Sequence, residues 1–428
     1  MTKRATPWAA PTAAGPVDAV VPLPGSKSMT ARALVLAALS VDTSTLEHPL
    51  RARDTELMAA GLRALGVTVS TLADERWVVR PRPLAGPAHV DVGRAGTVMR
   101  FLPPLAGLAS GAVTFDGEPA ARRRPLAPLV GALRALGVRI EASTADGLPM
   151  TIHGQGGVRG GEVVLDASES TQFVSGLLLA APDFDHGLTL RHDGPAIPSA
   201  PQLRMTVLML RAAGAAVDDS VKNVWRVEPG RLLGRAWPIE PDLSTAAPFL
   251  AAALVTGGTV TVPGWPRTST QAGDRLREIL TRMGGTCTLT EAGLVVRGGG
   301  VVHGVDVDLH DASELGPVVV ALAALADAPS KVHGVSHLRT HETDRIAALA
   351  RELVALGADV EERHDGLEIR PRPLTGTAFE TYDDHRMAHA GALLGLAVPG
   401  IVLSDVACTA KTLPEFPALW SAMTGTSS

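Results

Sequence analysis

Aromatic residues are scarce in this chain. Phe, Trp and Tyr together make up 3% of the sequence, and Tyr382 is its only tyrosine. The formal net charge is -5. Proteins that bind nucleic acids usually combine a basic surface with aromatic side chains on which the bases stack. The composition therefore gives no support to a nucleic-acid partner.

Cysteine and long apolar runs are also lacking. The two cysteines, Cys287 and Cys408, are too few for a disulfide framework and fit a reducing compartment such as the cytoplasm. No apolar run is long and uninterrupted enough to span a bilayer. The first residues, MTKRATPWAAPTAAGPV, are basic but lack the apolar core of a secretion signal, so we expect a short unstructured start.

Lysine is rare, because this chain uses arginine for nearly all of its basic positions. Five of the 39 basic residues are lysines: Lys3, Lys27, Lys222, Lys331 and Lys411. Lys27 follows Pro24-Gly25 at the start of an Ala/Leu-rich helix, where a cation is unfavourable unless an anion binds there. A nucleotide-binding P-loop is excluded, since Ser26 precedes Lys27 where that motif needs glycine.

The abundant features are apolar residues, which form 46% of the 428 residues, and a repeated pattern. Successive polar helix starts are separated by 71, 73, 74, 70 and 70 residues, at Ser26, Thr97, Ser170, Ser244, Glu314 and Asp384. Between them recur segments that read helix, glycine, strand, as in GLRALGVTVS and ALRALGVRIE. Such a period indicates a repeated supersecondary unit. Six units favour two α/β domains of three units each.

Proline-rich stretches mark the predicted boundaries between these domains. VVPLPG and WPIEPD precede the first and fourth helix starts. We expect residues 22–240 to form one domain with repeats one to three. Residues 1–21 and 241–428 would together form the other, with repeats four to six. We expect the six helix starts to face one another across a cleft.

Charged residues gather near these helix starts. The cations include Arg94, Arg100 and the run Arg122–Arg124, which would suit a small substrate with several negative charges. Glu314 stands in the apolar sequence DASELGPVVVALAAL, where burial could raise its pKa for proton transfer. The alternative is that Glu314 simply caps its helix. No metal-ligand spacing stands out, because HETDR is not the H-E-x-x-H motif.

Seven motifs, in order from about Pro22 to Pro417, resemble those of the 5-enolpyruvylshikimate-3-phosphate (EPSP) synthases. They are LPGSKSMTARALVLAAL, AGTVMRFL, RRRPLAPLVGALRALG, SESTQFVSGLLLAAP, HETDRIAALARELVALGADVE, DDHRMAHAGALLGL and CTAKTLPEFP. The resemblance implies two inside-out α/β domains, each of three repeated units with helices inside and strands outside, joined by two crossovers. It implies transfer of the enolpyruvyl group of phosphoenolpyruvate to the 5-hydroxyl of shikimate 3-phosphate in aromatic amino-acid biosynthesis.

The same resemblance implies a cytoplasmic monomer that is sensitive to glyphosate and has no metal, organic cofactor, nucleic-acid or membrane partner. It implies that the catalytic residues are Glu314, Lys27 and Glu342. The shikimate 3-phosphate ligands would be Lys27, Ser28, Arg32, Ser170, Thr171, Gln172, Ser199, Glu314 and His341. The phosphoenolpyruvate ligands would be Lys27, Gly96, Arg124, Gln172, Arg345, Arg386 and Lys411.

The chain departs from the family pattern at four positions. Glu314 stands where the family often has Asp, His341 where it often has Lys, Arg94 where it often has Asn, and Gln202 where it often has Tyr. We expect His341 to replace the lysine in part and to add a basic limb to the pH profile.

Two other functions remain as alternatives. One is an enolpyruvyl transferase acting on UDP-N-acetylglucosamine, although the loop FDGEPAARRRPLAPL lacks the cysteine of those enzymes. The other is an inactive anion-binding paralogue, against which the retained Lys27, Glu314, Glu342 and Lys411 argue.

Overall fold

The structure is a computed structural model that describes residues 7–143 and 146–426. The chain divides into two compact units, with the divisions between Pro24 and Gly25 and between Ile239 and Glu240. We call the continuous segment between these points the central unit. The two outer segments together form the terminal unit. Each unit has its own hydrophobic core.

The secondary structure alternates between helices and short strands throughout. The helices are α1 (Lys27–Leu39), α2 (Arg53–Ala64), α3 (Gly96–Leu108), α4 (Pro119–Arg122), α5 (Ala127–Ala135), α6 (Thr171–Ala180), α7 (Ala200–Ala212), α8 (Ala247–Thr256), α9 (Leu276–Arg282), α10 (Gly316–Ala324), α11 (Arg345–Ala355), α12 (His385–Gly395) and α13 (Phe416–Thr424). Short 3₁₀ helices cover Ala181–Asp183, Ala272–Arg275, Ser313–Leu315, Ser336–Thr340 and Ala407–Lys411.

The strands are two to seven residues long. They are β1 (Trp8–Ala9), β2 (Asp18–Val20), β3 (Ser44–Glu47), β4 (Thr68–Thr71), β5 (Trp77–Arg80), β6 (Ala88–Asp91), β7 (Ser110–Asp116), β8 (Arg139–Ala142), β9 (Met150–Gln155), β10 (Gly161–Leu165), β11 (Leu188–His192), β12 (Val217–Asp218), β13 (Val224–Val227), β14 (Ala236–Pro238), β15 (Thr259–Val262), β16 (Gly285–Thr290), β17 (Gly293–Gly298), β18 (Asp306–Asp308), β19 (Ser330–His333), β20 (Asp359–Arg363), β21 (Gly366–Arg370), β22 (Ala378–Phe379) and β23 (Val402–Leu403).

The central unit repeats one sheet design three times. Its sheets have the strand orders β14-β3-β5-β4, β6-β7-β9-β8 and β10-β11-β13-β12. In each sheet the first two strands are parallel and the other neighbours are antiparallel. The parallel partner of β3 is β14, the last strand of the unit, so the end of the segment closes the first sheet.

The terminal unit follows the same design. Its sheets have the orders β16-β17-β15-β2, β18-β19-β21-β20 and β1-β23-β22. The N-terminal segment supplies β2, which pairs parallel to β15, and β1, which pairs antiparallel to β23. The expected unstructured start is therefore wrong from Trp8 onward, because both strands complete sheets of this unit. Residues 1–6 lie outside the described range.

In each unit three helices are buried along nearly their whole length. They are α1, α3 and α6 in the central unit and α8, α10 and α12 in the terminal unit. A helix that is apolar on all sides is stable only when it is surrounded by protein. The surrounding helices, such as α2 and α11, keep charged residues on an outer face. The predicted arrangement, with helices inside and strands outside in three repeats, is confirmed.

Five helices are each followed by a glycine, and the backbone conformation at that position explains the choice of residue. Gly66, Gly137, Gly214, Gly284 and Gly357 follow α2, α5, α7, α9 and α11, and each has φ between 94° and 101°. A residue with a side chain is strained in this region, whereas glycine adopts it readily. The predicted helix-glycine-strand junctions are present at all five positions.

The six polar helix starts are not equivalent. Ser26, Ser170 and Asp384 are true N-caps whose side chains accept hydrogen bonds from backbone N–H groups. Thr97 instead lies inside α3, which begins at Gly96, so its predicted position before the helix is wrong. Ser244 lies in a turn three residues before α8, and Glu314 lies in a 3₁₀ turn that leads into α10.

Candidate active site

Lys27 begins α1 and has a carboxylate neighbour that sequence reasoning missed. Its Nζ lies 3.7 Å from Oδ2 of Asp54, which is buried in the first turn of α2. The Asp54 carboxylate therefore offsets part of the unfavourable interaction between the Lys27 charge and the start of α1. The available signal was an acid in the first turn of the next helix, in ARDTEL. An anion bound at Lys27 would therefore contact the same ammonium group as Asp54.

Arg32 lies deeper in α1 and ties three helices together. The residue is 2% exposed. Its Nε donates to Thr206 Oγ1 at 2.8 Å, and its two Nη groups donate to the backbone oxygens of Ser28 and Gln202, both at 3.0 Å. Nη2 also lies 3.4 Å from Ser175 Oγ. Because these donors are used within the protein, the geometry favours a role in positioning α1, α6 and α7 over direct contact with a substrate.

Two arginines converge on the start of α3. A Cβ added to Gly96 would lie 3.0 Å from the guanidinium tips of both Arg100 and Arg124, so glycine allows their close approach. Arg100 is buried, and its Nη1 donates to Gln172 Oε1 at 3.3 Å. Burial and then the Arg124 charge lower the pKa of Arg100, whereas Glu169 acts in the opposite direction. Arg100 was not among the predicted ligands, although it joins Gly96, Arg124 and Gln172 in one anion-binding corner.

The remaining predicted residues of the central unit stand at two further helix starts. Ser170 caps α6 by accepting from the Gln172 backbone N–H at 3.2 Å, and Thr171 is the first residue of that helix. Ser199 precedes α7 with φ 53°, in the left-handed region that residues with a side chain seldom adopt. This conformation costs about 1–3 kcal/mol, and such strain is commonest at functional turns.

Arg345 is a buried cation of the terminal unit that two carboxylates hold. Its Nε and Nη2 donate to the two oxygens of Asp384 at 2.7 and 3.1 Å, and Nη2 also donates to Glu342 Oε2 at 2.8 Å. Asp384 caps α12 through the Arg386 backbone N–H at 2.9 Å. This carboxylate therefore links the starts of α11 and α12.

Glu342 has a second cationic partner in Lys411. Lys411 is buried at the end of a 3₁₀ helix, and its Nζ is in direct contact with Glu342 Oε1. A carboxylate held between a lysine and an arginine can exchange a proton with the lysine while the arginine stays charged. The two positions are 69 residues apart in the chain, so only the fold creates the pair.

Arg386 and Glu314 form a looser ion pair. Arg386 Nη1 donates to the Ser244 backbone oxygen at 2.7 Å, and Nη2 lies 3.7 Å from Glu314 Oε2. The Glu314 side chain is 38% exposed. The expectation that it is buried is therefore wrong, because its 3₁₀ turn lifts it out of the apolar core that surrounds Ser313 and Leu315.

His341 lies against the guanidinium of Arg345. Its Nδ1 lies 3.2 Å from Arg345 Nη1, and an arginine can only donate, so Nδ1 accepts and the ring proton is on Nε2. The His337 ring lies 6.0 Å from the His341 ring, and burial, with the charges of His310 and Arg345, lowers the pKa of His337 to about 4.

The two cysteines are not poised as nucleophiles. Burial raises the pKa of Cys287 in β16 and of Cys408 near Lys411, whereas a reactive thiol needs a lowered pKa. Across the described part of the chain, no group of three His, Cys, Asp or Glu side chains could hold a metal ion. None of the helices in residues 7–143 and 146–426 has the length and apolar character needed to cross a membrane.

Comparison with known proteins adds three findings. The sequence profile of the family described as EPSP synthase (3-phosphoshikimate 1-carboxyvinyltransferase) matches residues 11–420. The chain is similar to a 3-phosphoshikimate 1-carboxyvinyltransferase from Kocuria rhizophila, with 51% identity over 429 residues that cover 98% of this chain and 96% of that protein.

Two solved structures of EPSP synthase from Acinetobacter baumannii share the fold. The first has a TM-score of 0.83 and 23% identity, and the match covers 98% of each chain. The second has a TM-score of 0.80 and 22% identity, and covers 97% of this chain and 98% of that one. At this level of identity the likeness is evidence for the fold alone.

Proposed function

Because the chain belongs to the EPSP synthase family, we infer that it transfers the enolpyruvyl group of phosphoenolpyruvate to the 5-hydroxyl of shikimate 3-phosphate and releases phosphate. The observation that carries this conclusion is the 51% identity with a 3-phosphoshikimate 1-carboxyvinyltransferase over 98% of this chain. The reaction belongs to the shikimate pathway. Transfer to UDP-N-acetylglucosamine is not favoured, because the matching family is a different one and neither cysteine is activated.

The reaction requires two proton transfers in each of two steps. In the addition, the 5-oxygen bonds to C2 of phosphoenolpyruvate and loses its proton, while C3 gains a proton and becomes a methyl group. In the elimination, C3 loses a proton, the C2–C3 double bond forms again, and the C2–O bond breaks as the leaving phosphate takes up a proton. Each positioned acid or base is typically worth about 10²–10⁴-fold in rate.

Within the terminal unit, we assign the acid–base work to Glu314, Glu342 and Lys411. The contact between Lys411 and Glu342 supports the assignment, since the pair can hold and return one proton. Glu314, with its exposed carboxylate near Arg386, would accept the proton of the 5-hydroxyl. Arg345 and Arg386 would bind the anionic groups of phosphoenolpyruvate. His341 would donate to shikimate 3-phosphate through Nε2 as a neutral group.

Within the central unit, we assign anion binding to the starts of α1, α3, α6 and α7. The proposed ligands of shikimate 3-phosphate are Lys27, Ser28, Ser170, Thr171, Gln172 and Ser199, with Arg32 acting mainly through the helices it joins. The proposed ligands of phosphoenolpyruvate are Lys27, Gly96, Arg124 and Gln172. Lys27 would also serve catalysis by stabilising charge as phosphate leaves.

We further propose a cytoplasmic monomer whose partners are its two small substrates. The two free cysteines fit a reducing compartment. We also propose inhibition by glyphosate, whose phosphonate and carboxylate suit the same arginines as phosphoenolpyruvate.

The test is to mix the purified chain with shikimate 3-phosphate and phosphoenolpyruvate and to measure phosphate release. Mass spectrometry of the product should show the enolpyruvyl ether. Omission of either substrate should abolish release, and UDP-N-acetylglucosamine should not replace shikimate 3-phosphate. A chain that binds both substrates without releasing phosphate would be an inactive paralogue. Turnover with the UDP-sugar alone would overturn the acceptor assigned here.

A further inference from the structure

A histidine without hydrogen bonds lies directly behind the cations of the terminal unit. His389 is on α12, one turn after Arg386, and is 0% exposed. Neither Nδ1 nor Nε2 has a hydrogen-bond partner among the described residues. Its ring packs 4.8 Å from the Phe416 ring and 5.8 Å from the His385 ring. Buried polar groups are nearly always paired, so this ring needs an explanation.

The ring is neutral, which defines what it can bind. Burial lowers the pKa of His389 well below its ordinary value, and the charges of Arg386 and Arg345 lower it further. A neutral imidazole presents one N–H donor and one nitrogen acceptor. Its partner must therefore offer both an acceptor and a donor in a space closed to bulk solvent. A water molecule meets that requirement, whereas an ion of either sign would satisfy one nitrogen alone.

Three buried hydroxyls of the terminal unit also lack a hydrogen-bond partner within the described residues. They are the side-chain oxygens of Thr245, Ser313 and Thr412. Thr245 follows Ser244, whose backbone oxygen accepts a hydrogen bond from Arg386. Ser313 precedes Glu314, and Thr412 follows Lys411. Thr245 lies two residues before α8, Ser313 opens the 3₁₀ helix that leads into α10, and Thr412 directly follows the 3₁₀ helix Ala407–Lys411. α12 contacts α8, α10 and the 3₁₀ helix Ala407–Lys411.

We propose that the terminal unit binds ordered water molecules beneath Arg386, Glu314 and Lys411, and that His389 is the residue that anchors them at the deepest point. Folded proteins hold about one buried water per 27 residues, each with roughly three hydrogen bonds. Several such molecules within this unit are therefore ordinary in number. Their position around α12 is what gives them a role.

His389 acts in this arrangement as a positioning residue for Arg386. Water beneath the guanidinium would add to the hydrogen bond that Arg386 donates to the Ser244 oxygen and to its ion pair with Glu314. His389 hydrogen-bonds this water without adding a third cation beside Arg345 and Arg386, since burial and those two charges lower its pKa. Loss of this water should weaken the binding of the anion that these arginines hold, with little effect on the chemical step. This kinetic part rests on the function proposed above.

The structural part is tested by a high-resolution crystal structure of the full chain. We expect ordered water within about 3 Å of a ring nitrogen of His389 and of at least one of the three hydroxyls. Density that shows all four groups dry, or paired with one another, overturns the proposal. This measurement needs no turnover, so it stands apart from any failure of the proposed reaction.

The kinetic part is tested with His389→Phe, which keeps the stacking on Phe416 and removes both nitrogens. We expect the KM for phosphoenolpyruvate to rise about fivefold, as for the loss of one ordinary hydrogen bond, with kcat nearly unchanged. His389→Gln retains a donor and an acceptor and should recover most of the lost affinity. The urea midpoint of each variant establishes that it is folded.

Phe416→Leu is the matched control, because it disturbs the packing of His389 but leaves its nitrogens intact. We expect this variant to lower stability without raising the KM for phosphoenolpyruvate. An unchanged KM in His389→Phe would show that the residue merely fills the core. An equal rise in Phe416→Leu would assign the effect to packing, and either result would overturn the positioning role.

Discussion

The two units share a fold but differ in the groups that accept hydrogen bonds from their buried cations. In the central unit, Arg32 is satisfied by hydroxyls and backbone oxygens from α1, α6 and α7. In the terminal unit, Arg345 and Lys411 are satisfied by carboxylates, and several hydroxyls and an imidazole have no partner among the described residues. Arg32 thus has neutral acceptors, whereas Arg345 and Lys411 have ionisable ones. The ion pair of Lys27 with Asp54 is an exception within the central unit.

This difference indicates a division of labour between the units. Neutral acceptors keep an arginine in place at any pH and cannot exchange its proton. Carboxylate–lysine pairs can exchange protons, at the cost of sensitivity to pH and to the loss of one partner. We therefore expect substitutions in the central unit to change stability and binding, and those in the terminal unit to change turnover and pH dependence.

The largest effect should come from Glu342→Gln, which removes the proton-exchanging partner of Lys411 and one acceptor of Arg345. We expect kcat to fall by about 10²–10⁴-fold, the range for a positioned acid or base. Steady-state phosphate release measures this. Glu278→Gln, on the exposed face of α9, should leave kcat unchanged. A loss below about tenfold, smaller than the roughly 10²-fold minimum for such a group, would remove Glu342 from proton transfer.

Glu314→Gln should separate catalysis from binding. We expect kcat to fall by about 10²-fold, because the amide cannot accept the hydroxyl proton. Calorimetric affinity for shikimate 3-phosphate should change far less, since an amide keeps a hydrogen-bonding oxygen. Turnover close to that of the unmodified chain would mean that this exposed carboxylate is not the base.

Arg32→Met should affect the stability of the central unit. The substitution leaves the oxygens of Ser28 and Gln202 and the Thr206 hydroxyl short of a donor, so we expect the free energy of unfolding to fall by about 2 kcal/mol. Urea denaturation provides the measurement. Arg204→Met, on the exposed side of α7, is the control and should have little effect. Equal losses in the two variants would argue against the network as the cause.

The terminal unit should lose stability in acid. His337 has a folded pKa of about 4 against an ordinary value of 6.5. Below pH 6.5 the unfolded chain takes up a proton that the folded chain does not, so the free energy of unfolding falls as the pH drops towards 4. The lowered pKa of His389 acts in the same direction.

The His337 contribution should reach about 3 kcal/mol, from a pKa difference of about 2.5 at roughly 1.36 kcal/mol for each pKa unit. Urea midpoints across this pH range measure it. His337→Gln should flatten the profile, whereas His364→Gln, at an exposed position of the same unit, should not. Profiles that stay parallel in all three proteins would refute the assignment.

The smallest effect concerns the anion-binding corner of the central unit. Gly96→Ala places a methyl group 3.0 Å from the guanidinium tips of Arg100 and Arg124. Glyphosate is longer than phosphoenolpyruvate, so we expect its inhibition constant to rise about tenfold, with a smaller rise in the KM for phosphoenolpyruvate. Inhibition of phosphate release at several phosphoenolpyruvate concentrations checks this. Equal inhibition of both proteins would place glyphosate elsewhere.

Local patterns predicted the architecture well, because helix periodicity and glycine positions act over a few residues. The junctions at Gly66 and Gly357 and the caps at Ser26 and Asp384 could be recognised from neighbouring residues alone. Thr97 was placed before α3, but the helix begins at Gly96 after the N-cap Ala95, whose side chain cannot accept a hydrogen bond. The strand at Trp8 was missed because its partner, β23, lies nearly 400 residues along the chain.

The sequence by itself determined the family, the α/β class and the six repeats, since these depend on composition, spacing and motif order. It also identified which residue types would bind anions and move protons. The tertiary structure alone decided which side chains form pairs. These are Lys27 with Asp54, Arg345 with Asp384, Lys411 with Glu342, and His341 with Arg345. It decided too that the Glu314 side chain is partly exposed and that His389 is buried without a hydrogen-bond partner among the described residues. The physical reason is that protonation and charge pairing depend on distances of a few ångströms between residues far apart in the chain, which no local pattern encodes.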